Sequence, residues 1–154
     1  LSAAARERVP DITLTTDVIV GFPGENEDDH RATLELLEGV GFDNAFMFKF
    51  SPREGTRATE LPDDVPPEVK QRRFLEVQAI IESSAKDRNT ALVGKHLEVV
   101  IEGTDKTGRP FGRTPGGKIL KLAAGTAVEP GEYVTARVEA ASVFSLEGAV
   151  VNEA

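Results

Sequence analysis

Apolar positions follow two different periods along this chain. Up to about residue 90 they read as strand, helix, strand and helix; from residue 95 they alternate. Residues 1–8 read as the last turns of a helix stopped by Pro10. Residues 12–20 (Ile-Thr-Leu-Thr-Thr-Asp-Val-Ile-Val) are rich in β-branched side chains and predict a strand. The continuous apolar run at 18–20 suits a parallel strand buried on both faces. Gly21-Phe22-Pro23-Gly24 forms a turn. Asn26 is then placed as a helix N-cap, with Glu27, Asp28 and Asp29 in the first turn, where negative charge complements the helix dipole. Leu34, Leu37 and Val40 recur at helical spacing, and Gly39 and Gly41 end the helix.

Residues 43–50 predict a second strand. Phe46, Phe48 and Phe50 lie on one face and Ala45, Met47 and Lys49 on the other. Strand, helix and strand in this order make a βαβ unit. A proline-bearing loop over 51–67 leads to a long helix that Pro67 is suited to begin. Val69, Phe74, Val77 and Ile81 form its apolar stripe, and Leu92-Val93-Gly94 ends it at a domain boundary.

Beyond Lys95 the alternation predicts five short strands broken by glycine and proline turns, at 95–102, 109–114, 118–122, 132–140 and 142–150. Such spacing fits a small closed or nearly closed barrel. The expected fold is therefore an α/β part over residues 1–91 followed by a small all-β barrel over 92–154.

Charge changes this picture locally. The net charge of −8 argues against nucleic acid as a partner for the chain as a whole. Residues 1–91 hold eleven basic against eighteen acidic side chains, but residues 92–154 are nearly balanced at seven against eight. Lys106, Arg109, Arg113, Lys118 and Lys121 fall within sixteen residues with no acid among them. With Phe111 in their midst, they suit a barrel edge holding single-stranded nucleic acid, where cations follow the backbone and an aromatic stacks a base. The same charges also suit a solvated hairpin, and Phe111 suits a core position equally well.

Zero cysteines exclude disulfides, thiolate zinc sites and protein-held iron–sulfur clusters within these residues. No apolar run approaches the roughly 20 residues needed to span a bilayer. No export signal is visible, so the cytoplasm is the expected compartment. The chain opens on Leu1 and reads as a piece of a longer protein.

The turn Gly21, Phe22, Pro23, Gly24, Glu25 brings backbone amides to the carboxyl end of a parallel strand, where α/β folds bind ligands. It equally suits a tight connection with no ligand, and it lacks the Gly-Lys-Ser/Thr of a phosphate loop. Ser51 and Arg53 follow the second strand and stand at the same rim; an arginine there can hold a carboxylate or phosphate. His30 and His96 form no metal constellation and read as surface residues.

Two motifs in order, Thr-Asp-Val-Ile-Val-Gly-Phe-Pro-Gly-Glu at 16–25 and Phe-Lys-Phe-Ser-Pro-Arg-Glu-Gly-Thr at 48–56, resemble the radical S-adenosylmethionine methylthiotransferases. Leu-Pro-Asp-Asp-Val-Pro-Pro-Glu-Val-Lys at 61–70 fits the same family. The final barrel, with Gly-Arg-Thr at 112–114 and Ser-Leu-Glu-Gly at 145–148, resembles its RNA-binding TRAM domain. The resemblance covers nearly the whole chain and is greatest to members that methylthiolate an N6-isopentenyl-type adenosine beside the anticodon of tRNA. Two alternatives come with it: the relative that modifies a ribosomal protein, and a non-catalytic RNA-binding module.

The resemblance implies that residues 1–91 are the last βα units of a radical-enzyme TIM-type barrel. Gly21 to Glu25, with Ser51 and Arg53, would then line the side facing S-adenosylmethionine in a supporting role. It implies two [4Fe–4S] clusters in the parent protein, held by cysteines in preceding regions, and clusters that this chain cannot hold. It also implies the tRNA anticodon stem-loop and the missing amino-terminal domains of the same protein as partners, with no membrane. The fragment alone would be inactive, since the radical chemistry is the cofactors' own.

Overall fold

The computed structural model describes residues 1–151; the last three residues of the expected barrel segment, 152–154, lie outside the described residues. The chain divides into two compact units. One comprises residues 1–7 and 14–84, the other residues 8–13 and those from 85 onward.

The first unit is built on a βαβ unit. Helix α1 (Ser2–Arg8) precedes strand β1 (Thr15–Val20), helix α2 (Glu27–Val40) and strand β2 (Asn44–Lys49). A short 3-10 helix (Arg57–Glu60) and the long helix α3 (Pro67–Thr90) follow. β1 and β2 pair in parallel, from Thr15 opposite Asn44 to Val20 opposite Lys49, and form a two-stranded sheet. β1 begins later than the expected residue 12, because the Ile12 amide is drawn into a turn with the Val9 carbonyl. Leu14 and Asp43 close the entrance: the Leu14 amide donates to Asp43 Oδ2 at 3.0 Å, and the Asp43 amide to the Leu14 carbonyl at 2.8 Å.

α2 is capped as the sequence predicts. The Asn26 side chain accepts from the amides of Asp28 and Asp29, while the Asp29 carboxylate accepts from the Asn26 amide. Such a capping box contributes about 1 kcal/mol. Gly41 ends the helix at φ +61, with its amide on the Leu37 carbonyl; Gly39 lies inside the helix.

Val18, Val20, Leu37, Ala45, Val77 and Ile81 form the core of this unit. Burial of the 18–20 run on both faces is corrected here. Val18 and Val20 point into the core, whereas Ile19 is 55 % exposed beside Phe46 at 63 % and Phe48 at 54 %. Core residues from α2 and α3 pack on one face of the sheet, so the alternation of a strand sends the other set outward.

The second unit holds a closed barrel of β3 (His96–Thr104), β4 (Pro110–Arg113), β5 (Ile119–Lys121), β6 (Tyr133–Ala141) and β7 (Leu146–Val150). The strand order is β3-β4-β5-β7-β6, and only β5 and β7 pair in parallel. Closure leaves no sheet edge, which removes the main route to strand-by-strand aggregation. Val99, Ile101, Leu120, Leu122, Val134, Ala136, Val138 and Leu146 fill the interior. The barrel is tight at two glycines. A Cβ on Gly112 would lie 2.1 Å from the Val100 carbonyl oxygen, and one on Gly148 would lie 2.4 Å from that of Arg137.

Candidate functional site

Because β1 and β2 are parallel and in register, the turns after Val20 and after Lys49 leave the sheet at the same end. At this rim Gly21 adopts φ +68, and a Cβ there would sit 2.4 Å from Lys70 Cγ. Backbone conformation and the close approach of Lys70 both call for glycine.

The amides that the sequence offers to a ligand already have partners within the chain. Those of Gly21 and Phe22 donate to Glu25 Oε2 at 2.5 and 3.1 Å, and that of Gly24 to Asp64 Oδ1 at 2.8 Å. Pro23 has no N–H to give. The turn is therefore clamped by two carboxylates, one from its own end and one from the 61–66 loop.

Glu25 is held from the other side by Arg73, which is only 3 % exposed. Arg73 Nη1 lies 3.2 Å from Glu25 Oε1 and donates to the Glu25 carbonyl at 3.0 Å; Nη2 donates to Glu27 Oε1 at 2.7 Å. Hydrogen bonds from Arg73, and then from Arg72, hold the Glu27 carboxyl down from its ordinary 4.5 to about 2. Arg72 is pushed up in turn, chiefly by its hydrogen bond to Glu27.

His30 is not a surface residue. It is 3 % exposed, with Nε2 2.6 Å from Glu76 Oε2 and Nδ1 3.7 Å from Glu25 Oε1. Positions 30, 34 and 37 share one helical face, so the spacing that marks Leu34 and Leu37 as inward also marks His30. His96 is exposed, as expected.

Lys70, also buried, places Nζ 2.5 Å from Asp63 Oδ1 and 3.4 Å from the Phe50 carbonyl, with the Phe50 ring centroid 5.3 Å away. Phe22 and Phe50 meet edge to face at 5.1 Å. Ser51 and Arg53 are exposed, and the Arg53 carbonyl accepts from both the amide and the hydroxyl of Thr56. Asp63, Asp64, Lys70, Arg73 and His30 are thus rim residues that the sequence reading did not select. A signal existed in the 61–70 motif, whose consecutive aspartates hold Lys70 and Gly24 respectively.

As a set the rim has an exposed Arg53 at the same sheet end as a turn whose amides are internally satisfied. That donor set does not fit an amide cradle. No iron–sulfur cluster fits, because the chain has no cysteine. Among the described residues no group of three or more His, Asp or Glu side chains is placed to hold a metal, and no helix is long and apolar enough to cross a membrane.

On the barrel, pairing carries the outward residues into rows. Tyr133 lies opposite Val100, Val100 opposite Arg113, and Arg113 opposite Ile119. Phe111 lies opposite Gly103 and Lys121, and Lys121 opposite Glu147. Phe111 is half-buried and lies outside the packed interior; its ring rests near Gly103, where a Cβ would sit 3.8 Å from it. Tyr133 is an exposed aromatic on the same outer surface that the sequence reading passed over.

The cations gather, but acids from outside the basic run come with them. Arg113 Nε donates to Glu102 Oε1 at 2.9 Å, Arg109 Nη1 to Glu147 Oε1 at 3.2 Å, and Lys121 Nζ to Asp105 Oδ2 at 3.4 Å. Lys118 Nζ donates to Asn89 Oδ1 at 2.9 Å, and Lys106 is exposed. Asp105 is held well below the usual carboxylate range, first by the Thr107 hydroxyl and then by the amides of Thr107 and Arg109. The Arg113–Glu102 pair is exposed on both sides, and such pairs contribute about 0–1 kcal/mol.

Residues 90–151 match the TRAM domain. The barrel is a TRAM domain. The chain as a whole is also similar to curated proteins along nearly all its length. It is 43 % identical over 153 residues to the tRNA-2-methylthio-N(6)-dimethylallyladenosine synthase of Acetivibrio thermocellus, covering 98 % of this chain and 32 % of that protein. The protein of the same name from Bacteroides fragilis is 42 % identical over 149 residues, covering 95 % and 32 %. That from Acidothermus cellulolyticus is 42 % identical over 146 residues, covering 92 % and 29 %. The chain spans about a third of the length of these relatives, and the resemblance read from its motifs holds across both the first unit and the TRAM domain.

Proposed function

We propose that this chain is the carboxyl-terminal part of a tRNA methylthiotransferase, in which the TRAM domain binds the anticodon stem-loop of the substrate. The observation that carries the reading is the similarity along 98 % of the chain to a protein named for this reaction. The outward grouping of Arg113, Lys121, Phe111 and Arg109 on the barrel adds physical support. In this reading residues 1–91 complete a radical-enzyme barrel supplied mainly by the preceding domains, and the protein works in the cytoplasm.

S-adenosylmethionine and two [4Fe–4S] clusters belong to the whole protein, where they supply the radical chemistry. This chain gives no ligand to the clusters. Toward S-adenosylmethionine it contributes a wall. Arg53 and Ser51 face the rim, and the Gly21–Glu25 turn holds its shape through Glu25, Asp64 and Arg73. The fragment by itself is inactive.

The test is binding of an anticodon stem-loop RNA to the chain across a salt series. Affinity falls steeply as salt rises, because each phosphate contact releases counterions. Arg113→Ala with Lys121→Ala lowers both affinity and the salt slope. Unchanged affinity and slope in that double variant would sink the RNA role of this face. After iron–sulfur reconstitution the chain shows no cluster absorbance; a stoichiometric cluster would overturn the assignment of the clusters to other regions.

A further inference from the structure

The turn between β6 and β7 carries an unusual side chain for its position. Phe144 is 75 % exposed at its tip. The turn itself is tightly bonded. The Ser142 amide donates to the Ser145 carbonyl at 2.8 Å, and the Ser145 amide to Ser142 Oγ at 3.0 Å. Ser142 Oγ also accepts from the Phe144 amide at 3.3 Å.

Asn89, buried at 5 %, fastens this turn to the rest of its unit. Its Nδ2 donates to the carbonyls of Ser142 and Val143 at 2.8 and 3.1 Å, and its Oδ1 accepts from Lys118 Nζ at 2.9 Å. One carboxamide therefore holds the tip of the β6–β7 turn and the positive charge of Lys118 together.

The strand order agrees with this link, since β5 and β7 are neighbours in the barrel. β5 and β7 run parallel, with Leu120 opposite Leu146 and Lys121 opposite Glu147. Lys118 and Phe144 each precede that first pair by two residues, in the segments that lead into β5 and β7. An exposed aromatic ring on a turn that one carboxamide links to a lysine ammonium has the make-up of a nucleobase platform. Stacking presents a face to any base while the cation meets the adjoining phosphate. A protein partner would call instead for a contiguous apolar patch, and the neighbours of Phe144 in the turn are two serines and a half-buried valine.

We propose that Phe144 is a base-stacking residue of this TRAM domain and that Lys118, positioned by Asn89, holds the phosphate next to the stacked base. The inference rests on the RNA-binding reading above and extends the binding face from β4 and β5 across to the β6–β7 turn.

The test uses the full chain and a fluorescein-labelled anticodon stem-loop RNA, titrated at several salt concentrations. Two variants separate stacking from simple apolar contact. Phe144→Leu keeps the apolar bulk and loses the ring face; it binds roughly tenfold more weakly with an unaltered salt slope. Phe144→Trp keeps the ring and binds at least as well as the unsubstituted chain. Lys118→Met lowers the salt slope by about one phosphate contact. Thermal melting at the unsubstituted temperature shows that the Leu variant is folded. If the unsubstituted chain binds RNA with a salt-dependent affinity and Phe144→Leu binds equally well, the stacking role is wrong while the RNA-binding reading stands. If the unsubstituted chain does not bind the RNA at all, both fall together.

Discussion

The buried guanidinium of Arg73 grips both ends of Glu25, donating to its backbone carbonyl at 3.0 Å while lying 3.2 Å from its carboxylate. That carboxylate in turn accepts from the amides of Gly21 and Phe22. A helix residue 48 positions away thus fixes the shape of the turn after β1.

Removing Arg73 leaves Glu25 enclosed without its main counter-charge. Arg73→Met is expected to cost about 3 kcal/mol, the lower end of what breaking a buried pair costs, since part of the network reaches solvent. Urea unfolding followed by far-ultraviolet circular dichroism measures it, with Arg31→Met as control. Arg31 and its partner Asp28 are both largely exposed, so that variant is expected to shift stability by less than about 1 kcal/mol. Equal losses in the two variants would contradict the structural role of Arg73.

The barrel is expected to reject any side chain at Gly112. The obstacle is the Val100 carbonyl oxygen 2.1 Å from the new Cβ, together with Val99 Cγ1 at 2.8 Å. Backbone cannot step aside as a flexible side chain can, so Gly112→Ala is expected to cost about 3 kcal/mol or more. Gly116→Ala is a contrasting case: its nearest atom, at 2.5 Å, is the hydroxyl oxygen of Thr13, a side-chain atom. Thermal melting of both variants ranks them, and the Gly112 variant melts lower.

Acid sensitivity follows from Glu27. Its carboxyl is held at about 2 in the folded chain against an ordinary 4.5. Between those values the unfolded chain binds more protons than the folded one, so stability falls as pH is lowered. The contribution is whole above 4.5 and is lost as pH falls through about 2. Asp105, depressed by Thr107 and the Arg109 amide, acts in the same direction. Glu27→Gln is expected to flatten the stability–pH curve on the acid side, checked by urea midpoints across that range. A curve parallel to that of the unsubstituted chain would show that Glu27 does not carry the effect.

On the proposed RNA-binding reading, carboxylates that pair with the barrel cations compete with phosphate for them. Glu102 sits 2.9 Å from Arg113 Nε. Glu102→Gln is therefore expected to raise affinity for an anticodon stem-loop about two- to fivefold at low salt, the equivalent of one exposed ion pair. The gain shrinks as salt rises, because screening weakens both the lost competitor and the phosphate contact. A weaker complex would mean that Glu102 positions Arg113 for the RNA.

Much of the architecture could be read along the chain, for identifiable reasons. Asn26 with the acids after it, Gly41, and Pro67 are local signals, and each marks the helix boundary that it promises. The five barrel strands were legible because alternation and turn residues act over a few positions, but the last starts at Leu146 and not at 142, since Ser142 and Ser145 close a turn on each other. The strand reading failed at 12–14, where the Ile12 amide finds the Val9 carbonyl instead of a ladder partner. It also failed at Ile19, whose exposure depends on how many layers cover the sheet. His30 was misjudged because its acidic neighbours suggested surface, although its spacing to Leu34 and Leu37 placed it inward.

Candidate residues divide in the same way. Their chemical types and strand-end positions were visible in the motifs around Gly21–Glu25, Ser51–Arg53 and the basic hairpin, since a strand followed by a glycine turn or a cation run is contiguous in sequence. Their partners were not. Asp64 reaches the Gly24 amide across 40 positions, Arg73 reaches Glu25 across 48, and Glu147 reaches Arg109 across 38. Local periodicity specifies helices, strands and the face each residue occupies. Which charges neutralise one another, and which amides remain open to a ligand, depends on contacts between elements far apart along the chain, and those come into being only when the strands and helices pack.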